Sequence, residues 1–358
     1  MPGSRMPRHQ PYPVVRLIVI ALAAIAVAAV LAWSAGTVPS TATPASTAAP
    51  ASPSVTVPAS STAMPLPAAT SSPTVAPSPA QTVSSQAVIT AQTALRFNGR
   101  RAYQFVLDQE ALGIRPTGSD AGWKTGDYII SQMEGFGWEV STQEFLYLGV
   151  RVRNVIGKGG AGPFILLGAH YDTRPAADQD PDPAKRSEPI LGANDGGSGV
   201  AVLLELARVL KHDTLKHEVW LAFFDAEDRG RLDGWPFSVG ARETARRLTL
   251  RPQAMVLVDM VGDADQNIYY EGNSHPRLAA EIWAVAGELG YGDTIIPQLK
   301  HTITDDHIPF VEMGIPAVDI IDFDYPYWHT TRDTSDKVSA DSLERVGRTL
   351  QTWLEEKE

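Results

Sequence analysis

The pattern of apolar and polar positions divides the 358-residue chain into three parts. Positions 17–33 form an unbroken apolar run rich in Ala, Val, Ile and Leu, and Arg5, Arg8 and Arg16 precede it without any acid. Such a run is at the lower limit for spanning a bilayer and longer than a usual signal-peptide core. It predicts a cytoplasmic basic tail and membrane signal anchor over 1–35, with the rest of the chain on the extracytoplasmic side. Cleavage at the small residues Ser34 to Gly36 would instead release a secreted protein, but Trp33 fits a signal peptidase poorly. Positions 36–95 are almost entirely Ala, Ser, Thr, Pro and Val, with no aromatic residue and no periodic apolar face. A tract of that kind cannot offset the entropy of ordering itself, and it predicts a disordered tether.

From residue 96 the pattern becomes that of a folded domain over 96–358. Helical periodicity appears at 101–112 and 121–133, and strand patterns at 138–148 and 150–156 predict a pair. A fully apolar stretch at 164–168 predicts a buried strand. An amphipathic helix at 199–210 follows, then strands at 219–224 and 254–259, a helix at 275–289, a strand at 317–321 and a closing helix at 339–355. Interleaved strands and helices predict an α/β fold, a three-layer sandwich with a mostly parallel central sheet flanked by helices.

Charge and composition narrow the chemistry. All 41 acidic residues lie beyond position 100, and the chain's net charge is −11. A surface this acidic argues against nucleic acid and anionic lipid as partners. No cysteine is present, which removes disulfides and thiolate metal ligands together.

Five segments place a metal-binding or proton-handling side chain just after an apolar run. They are FILLGAHYD with His170 and Asp172, GANDGGSG with Asp195, VWLAFFDAED with Glu227 and Asp228, MVLVDMVG with Asp259, and YPYWHTT with His329. Ligands of an open α/β sheet bind outside the carboxyl ends of its strands, so the pattern gathers these groups in one crevice. Singly, each would be read as a helix cap, a turn residue or a satisfied structural histidine. Together the carboxylates would repel one another unless a cation or shared protons compensated them. Histidine with carboxylate ligands points to a first-row metal, zinc.

The ordered segments GAHYD, GANDGGSG, FFDAED, VDMVG, DDHIPF and YWHTT resemble the zinc aminopeptidase and glutaminyl cyclase superfamily across 96–358. The run Asp305-Asp306-His307-Ile308-Pro309-Phe310, with Trp328-His329-Thr330, is most similar to glutaminyl-peptide cyclotransferases. The resemblance implies Asp195, Asp228 and His329 as zinc ligands and Glu227 as the general acid/base. It implies Asp259 as either a second-metal ligand together with His170, as in aminopeptidases, or the partner of Asp305 in sharing a proton, as in cyclases. Trp328 and Trp235 are the implied substrate-binding aromatics. The substrates implied are peptide or protein N-termini. In cyclisation, Glu227 would take a proton from the attacking α-amine of an N-terminal glutamine and deliver it to departing ammonia, at a zinc-polarised γ-carboxamide.

Two other functions fit the same residues: a two-zinc exo-aminopeptidase in which Glu227 serves as base to a bridging water, and a tethered binding domain whose catalysis has lapsed. The intact Glu227 argues against the latter, since a structural zinc needs no free carboxylate beside its ligand. Asp228 stands where the superfamily has a longer glutamate. Trp235 matches the cyclase position loosely, with a core role as the alternative. The polar segment 175–189 either rims the crevice or is simply solvated. Asp305 and Asp306 have a helix-capping pair as their alternative, and His307 is expected to be a structural partner in the same turn.

Overall fold

Strict alternation along four central strands decides which side chains face which helix layer. The computed structural model describes residues 96–357, so the expected anchor and tether over 1–95 lie outside the described residues. The described elements run α1 (Gly99–Leu112), α2 (Asp120–Gly135), β1 (Glu139–Tyr147), β2 (Val150–Gly159), β3 (Phe164–His170), α3 (Gly197–Val209) and β4 (Glu218–Phe224). They continue with α4 (Val239–Arg247), β5 (Ala254–Asp259), β6 (Ile268–Glu271), α5 (Pro276–Glu288), β7 (Ile295–His301), α6 (Ile308–Glu312), β8 (Ala317–Ile321) and α7 (Ala340–Glu356). Among the described residues no helix is long and apolar enough to cross a membrane.

The main sheet has the order β1-β2-β4-β3-β5-β8. β3, β4, β5 and β8 are mutually parallel, and the β1–β2 hairpin joins β4 antiparallel. Ile165, Leu167, Leu221, Phe223, Val256 and Val258 enter one core with α3 and α7. Their neighbours Leu166, Phe224, Met255 and Leu257 enter a second core with Ala241 and Ala245 of α4 and Phe310 of α6. The chain moves outward from β3 to β4 and then back across β3 to β5. A fixed crossover hand requires successive connections in opposite directions to use opposite faces. Accordingly α3 packs on one face and α4 on the other. The reversal occurs around β3, so the loops leaving β3, β4 and β5 part there and open a crevice at the strands' carboxyl ends.

Four elements depart from the periodicity reading. α4 touches the sheet through small residues, Ala241 and Ala245, and shows no broad apolar stripe. β6 and β7 form a separate two-stranded sheet in which most of β7 is exposed, so no alternation marks it. α6 is five residues long and starts at Ile308-Pro309. Elsewhere the helices and strands fall where the apolar pattern puts them, with ends shifted by one to three residues.

α3 is almost wholly buried and lies unusually close to β5. A Cβ at Gly199 would sit 2.1 Å from the Val258 carbonyl oxygen, so only glycine allows this approach. Gly199→Ala is expected to destabilise the fold by about 2–3 kcal/mol, measured by urea unfolding, because helix and strand must separate. The control Gly135→Ala, where nothing lies within 4 Å, should stay within roughly 0.5 kcal/mol of the parent. Equal stability of the two variants would mean that the close approach is not a constraint.

Candidate metal centre and substrate crevice

Each chemical group at the crevice arrives on the end of a buried element. His170 is the last residue of β3, Asp259 the last of β5, and Glu227 and Asp228 follow β4 within four residues. Asp195 precedes α3, and His329 lies in the turn after β8. All six are buried. The turns that present them use left-handed backbone at Ala226 (φ 64°), Met260 (φ 45°) and His329 (φ 53°). Non-glycine residues accept that conformation only when their surroundings hold them there.

Those surroundings are specific hydrogen bonds. The Asp172 carboxylate accepts the backbone N–H groups of Glu227 at 3.0 Å and Asp228 at 3.1 Å, and the Thr117 hydroxyl at 2.9 Å. The Asp333 carboxylate accepts the N–H groups of Asn194 at 2.9 Å and Asp195 at 3.1 Å, and the Tyr325 hydroxyl at 2.7 Å. Fully buried Arg115 donates to the carbonyls of Tyr171, Leu191 and Gly192, tying the β3 loop to the Asp195 loop. Burial lowers its pKa to about 10, with Asp333 and Asp172 pulling the other way, so it remains a cation. Asp333 and Arg115 carry no apolar signature and went unread in the sequence, and Asp172 was visible only as the end of the His170 segment.

Two overlapping groups have metal-like spacing. Asp195, Asp228 and His329 form one, and His170, Asp195 and Asp259 the other, with ligand atoms in each group within 4.8 Å of one another. His329 Nε2 lies 3.0 Å from Asp228 Oδ1 and 3.6 Å from Asp195 Oδ2. His170 Nε2 lies 3.2 Å from both Asp195 Oδ1 and Asp259 Oδ1. Zinc bonds of about 2.0–2.2 Å in a tetrahedron set ligand atoms roughly 3.3–3.6 Å apart, and these edges of 3.0 to 3.6 Å lie within a few tenths of an ångström of that. Both Asp228 oxygens and Asp195 Oδ2 are buried and accept no well-formed hydrogen bond, although His329 Nε2 and, at 3.5 Å, the Arg174 guanidinium approach Asp228 Oδ1. Buried carboxylate oxygens so thinly compensated fit a cation.

The segment 175–189 serves the first group. Asp178 Oδ1 lies 3.3 Å from His329 Nδ1 and also takes the Arg174 guanidinium at 2.7 Å. Gln179 N–H donates to the His329 carbonyl at 3.2 Å, and Asp180 accepts from Thr331 N–H and hydroxyl at 3.0 and 2.7 Å. A carboxylate behind a ligating histidine fixes its ring and raises its basicity. Burial works to lower the His329 pKa, but Asp228, Asp178 and Asp195 outweigh it and push the value up to about 9.

Beside the metal groups lies an excess of acid. Glu227, Asp305 and Asp306 bring carboxylate oxygens within 4.8 Å of one another, all buried. Burial, followed by the neighbouring Asp305, pushes Glu227 well above the usual carboxylate range. Burial and then Asp259 and Asp306 do the same to Asp305, and Asp306 is pushed up to about 8, chiefly by burial. α6 has no side-chain cap, so the capping alternative for Asp305 and Asp306 is not what the pair does. His307 is fully buried beneath them, 3.2 Å from Glu271 and 3.6 Å from Asp319, and belongs to neither metal group.

The crevice holds a cavity of about 250 Å³ whose walls include Glu227, Asp305, Phe237, Phe323 and Trp328. Trp328 stacks on the His329 ring, centroids 3.9 Å apart, and leans on Phe323. Trp235 does not line this cavity. It is 4% exposed, packed with Val152, Ala226 and Val239 and tilted against Tyr147, so its place is in the core rather than against a substrate.

The family model of peptidase family M28 matches residues 154–354. Among solved structures, the glutaminyl cyclase of Porphyromonas gingivalis is 34% identical with a TM-score of 0.70, over 73% of this chain and 99% of that one. A Zn-dependent exopeptidase from Parabacteroides distasonis is 32% identical with a TM-score of 0.69, over 73% and 99% respectively. Aminopeptidase YwaD of Bacillus subtilis is 28% identical over 203 residues, 51% of this chain but 38% of that longer protein. Zinc is the cofactor these comparisons and the donor set agree on. The match across most of the sheet and every crevice segment identifies the chain as a member of peptidase family M28, similar to its glutaminyl cyclases and its zinc exopeptidases alike.

Proposed function

We propose that the chain is a zinc-dependent glutaminyl-peptide cyclotransferase, converting N-terminal glutamine to pyroglutamate with release of ammonia. The observation that carries this reading is the buried cluster of Glu227, Asp305 and Asp306 beside Asp259. Burial and mutual repulsion shift its carboxyls toward their protonated forms, so protons can be shared within the cluster and passed through Glu227. Cyclisation needs a proton moved between two nitrogens without water, which such a cluster supplies.

Asp195, Asp228 and His329 would hold the zinc, which when bound polarises the γ-carboxamide and stabilises charge on its oxygen. Trp328 and Phe323 would confine the glutamine side chain against the His329 turn. The α-amine attacks the carbonyl carbon of the γ-carboxamide and a ring C–N bond forms. Glu227 takes the proton that the amine loses. The bond to the amide nitrogen then breaks, and the same proton leaves on ammonia. Asp305, pushed toward its protonated form by burial and then by the neighbouring Asp259, would keep that side of the crevice from repelling the developing oxyanion.

The trio His170, Asp195 and Asp259 favours a second reading, a two-zinc aminopeptidase with Glu227 as base to a bridging water. The two readings differ in products. On the cyclase reading, peptides with N-terminal glutamine release ammonia and gain pyroglutamate by mass spectrometry, while aminoacyl arylamides are cleaved poorly. Free N-terminal amino acids with no pyroglutamate would instead select the peptidase.

The residue roles are separable. Glu227→Gln should keep its zinc and lose turnover by at least about a hundredfold, whereas Asp228→Ala and His329→Ala should lose zinc itself, both read by elemental analysis of the purified protein. Zinc loss from the Gln variant would make Glu227 a ligand. Asp178→Ala should weaken zinc affinity by about 10–100-fold, the range for a partner behind a ligating histidine. Because His329 has a pKa near 9 without metal, binding must displace its proton at neutral pH. Zinc affinity should therefore rise with pH up to about that value and flatten above it; an affinity independent of pH between 6 and 8 would contradict this assignment.

A further inference from the structure

The loop after the acidic pair carries two arginines in different states. Arg229 is spent locally: it pairs with Asp233 at 2.8 Å and lies over the Trp235 ring at 4.8 Å. Arg231, two residues on, is exposed and makes no ion pair with any described carboxylate. It lines the crevice, where among the described residues it is the only lysine or arginine on walls that include Asp195, Glu227, Asp259 and Asp305. Its guanidinium carbon sits 5.6 Å from the ring centroid of Phe237, another lining residue.

The backbone holds Arg231 in place deliberately. Its φ is 64°, a conformation glycine takes freely and other residues enter at a cost of about 1 kcal/mol. Arg231 N–H donates to the Trp235 carbonyl at 2.7 Å, Trp235 N–H to the Leu232 carbonyl at 2.9 Å, and the buried Trp235 ring pins the loop to the core. Trp235 is thus the anchor of a loop that presents Arg231.

An unneutralised cation at the mouth of an acid-lined crevice gives the site a direction. A peptide's amine end is drawn to the carboxylates, and an anion on the following segment would be repelled by them and by a chain of net charge −11 unless a cation met it. Resting on the reading of this crevice as a site for peptide N-termini, we propose that Arg231 is a specificity-determining residue that binds a substrate carboxylate beyond the N-terminal residue. The carboxylate has two sources, an acidic side chain at the second position or the C-terminus of a dipeptide.

The test uses the zinc-loaded full-length protein and matched pairs of peptides. One pair is Gln-Glu-Phe-amide against Gln-Gln-Phe-amide, the other Gln-Phe with a free C-terminus against its amide. Ammonia and free N-terminal amino acid are measured in every reaction. The expected kcat/KM is about fivefold to tenfold higher for the carboxylate-bearing member of a pair, expressed in KM, as for one partly desolvated charge pair. The ratio should fall near one in Arg231→Gln and persist in part in Arg231→Lys, and the pair that shows it identifies the source. A ratio near one in the parent for both pairs, or a ratio that survives Arg231→Gln, overturns the proposal. The product formed tests the cyclase reading separately, since free amino acid in place of ammonia would reject that reading and leave the ratio to decide the role of Arg231. Should neither product form, the same pairs are compared by calorimetric binding to the parent and Arg231→Gln, with the same ratios deciding.

Discussion

The constraint on which the rest depends is the crowding of buried carboxylates at one end of the sheet. Asp195, Glu227, Asp228, Asp259, Asp305 and Asp306 all lie within this site, each at most 7% exposed. Isolated ionised carboxylates are not tolerated at such burial. They persist only if cations, donors or protons compensate them. Asp195 and Asp228 have buried oxygens that accept no well-formed hydrogen bond, and the Glu227, Asp305 and Asp306 group is pushed toward its protonated form. The two halves of the site thus ask for different compensation, a cation on one side and protons on the other. That division separates a place that polarises a carbonyl from a place that moves protons.

The fold delivers these groups at little cost to itself. Parallel strands bury their apolar residues on both faces and end together, so polar residues can be concentrated where the loops part. The loops are then fixed by groups that never face the cavity: Asp172 under Glu227 and Asp228, Asp333 under Asp195, Arg115 between the β3 and Asp195 loops, Asp178 behind His329. Each such tie uses a carboxyl or guanidinium side chain to hold backbone or a ring. Left-handed backbone at Ala226, Met260 and His329 is tolerable because these ties over-determine it.

Much of this was legible in the sequence, for a physical reason. His170, Asp195, Glu227, Asp228, Asp259 and His329 each stand beside an apolar run whose period marks a strand or buried helix, so position along the chain implied position at the sheet's end. The supporting residues were not legible, because Asp333 and Arg115 act through backbone partners distant in sequence, and no periodicity records such contacts. α4 and β7 escaped because one packs through alanines and the other is largely exposed. Trp235, for which the sequence leaves a substrate-facing and a core role open, lies in the core, since a tryptophan near an acidic pair carries no sign of which way its loop turns. The polar segment 175–189, equally consistent with a rim or with solvation, proves to tie down the His329 turn through Asp178, Gln179 and Asp180.

The central claim is that protons, not a second metal, compensate the acid cluster beside the zinc. Infrared difference spectroscopy of the zinc-saturated protein at neutral pH reads this directly, through the carbonyl stretch of protonated carboxyl groups. The account predicts such a band in the parent, with one zinc per chain, and a weaker band in Asp305→Asn. Absence of the band in the parent, with two zincs bound per chain, would contradict it.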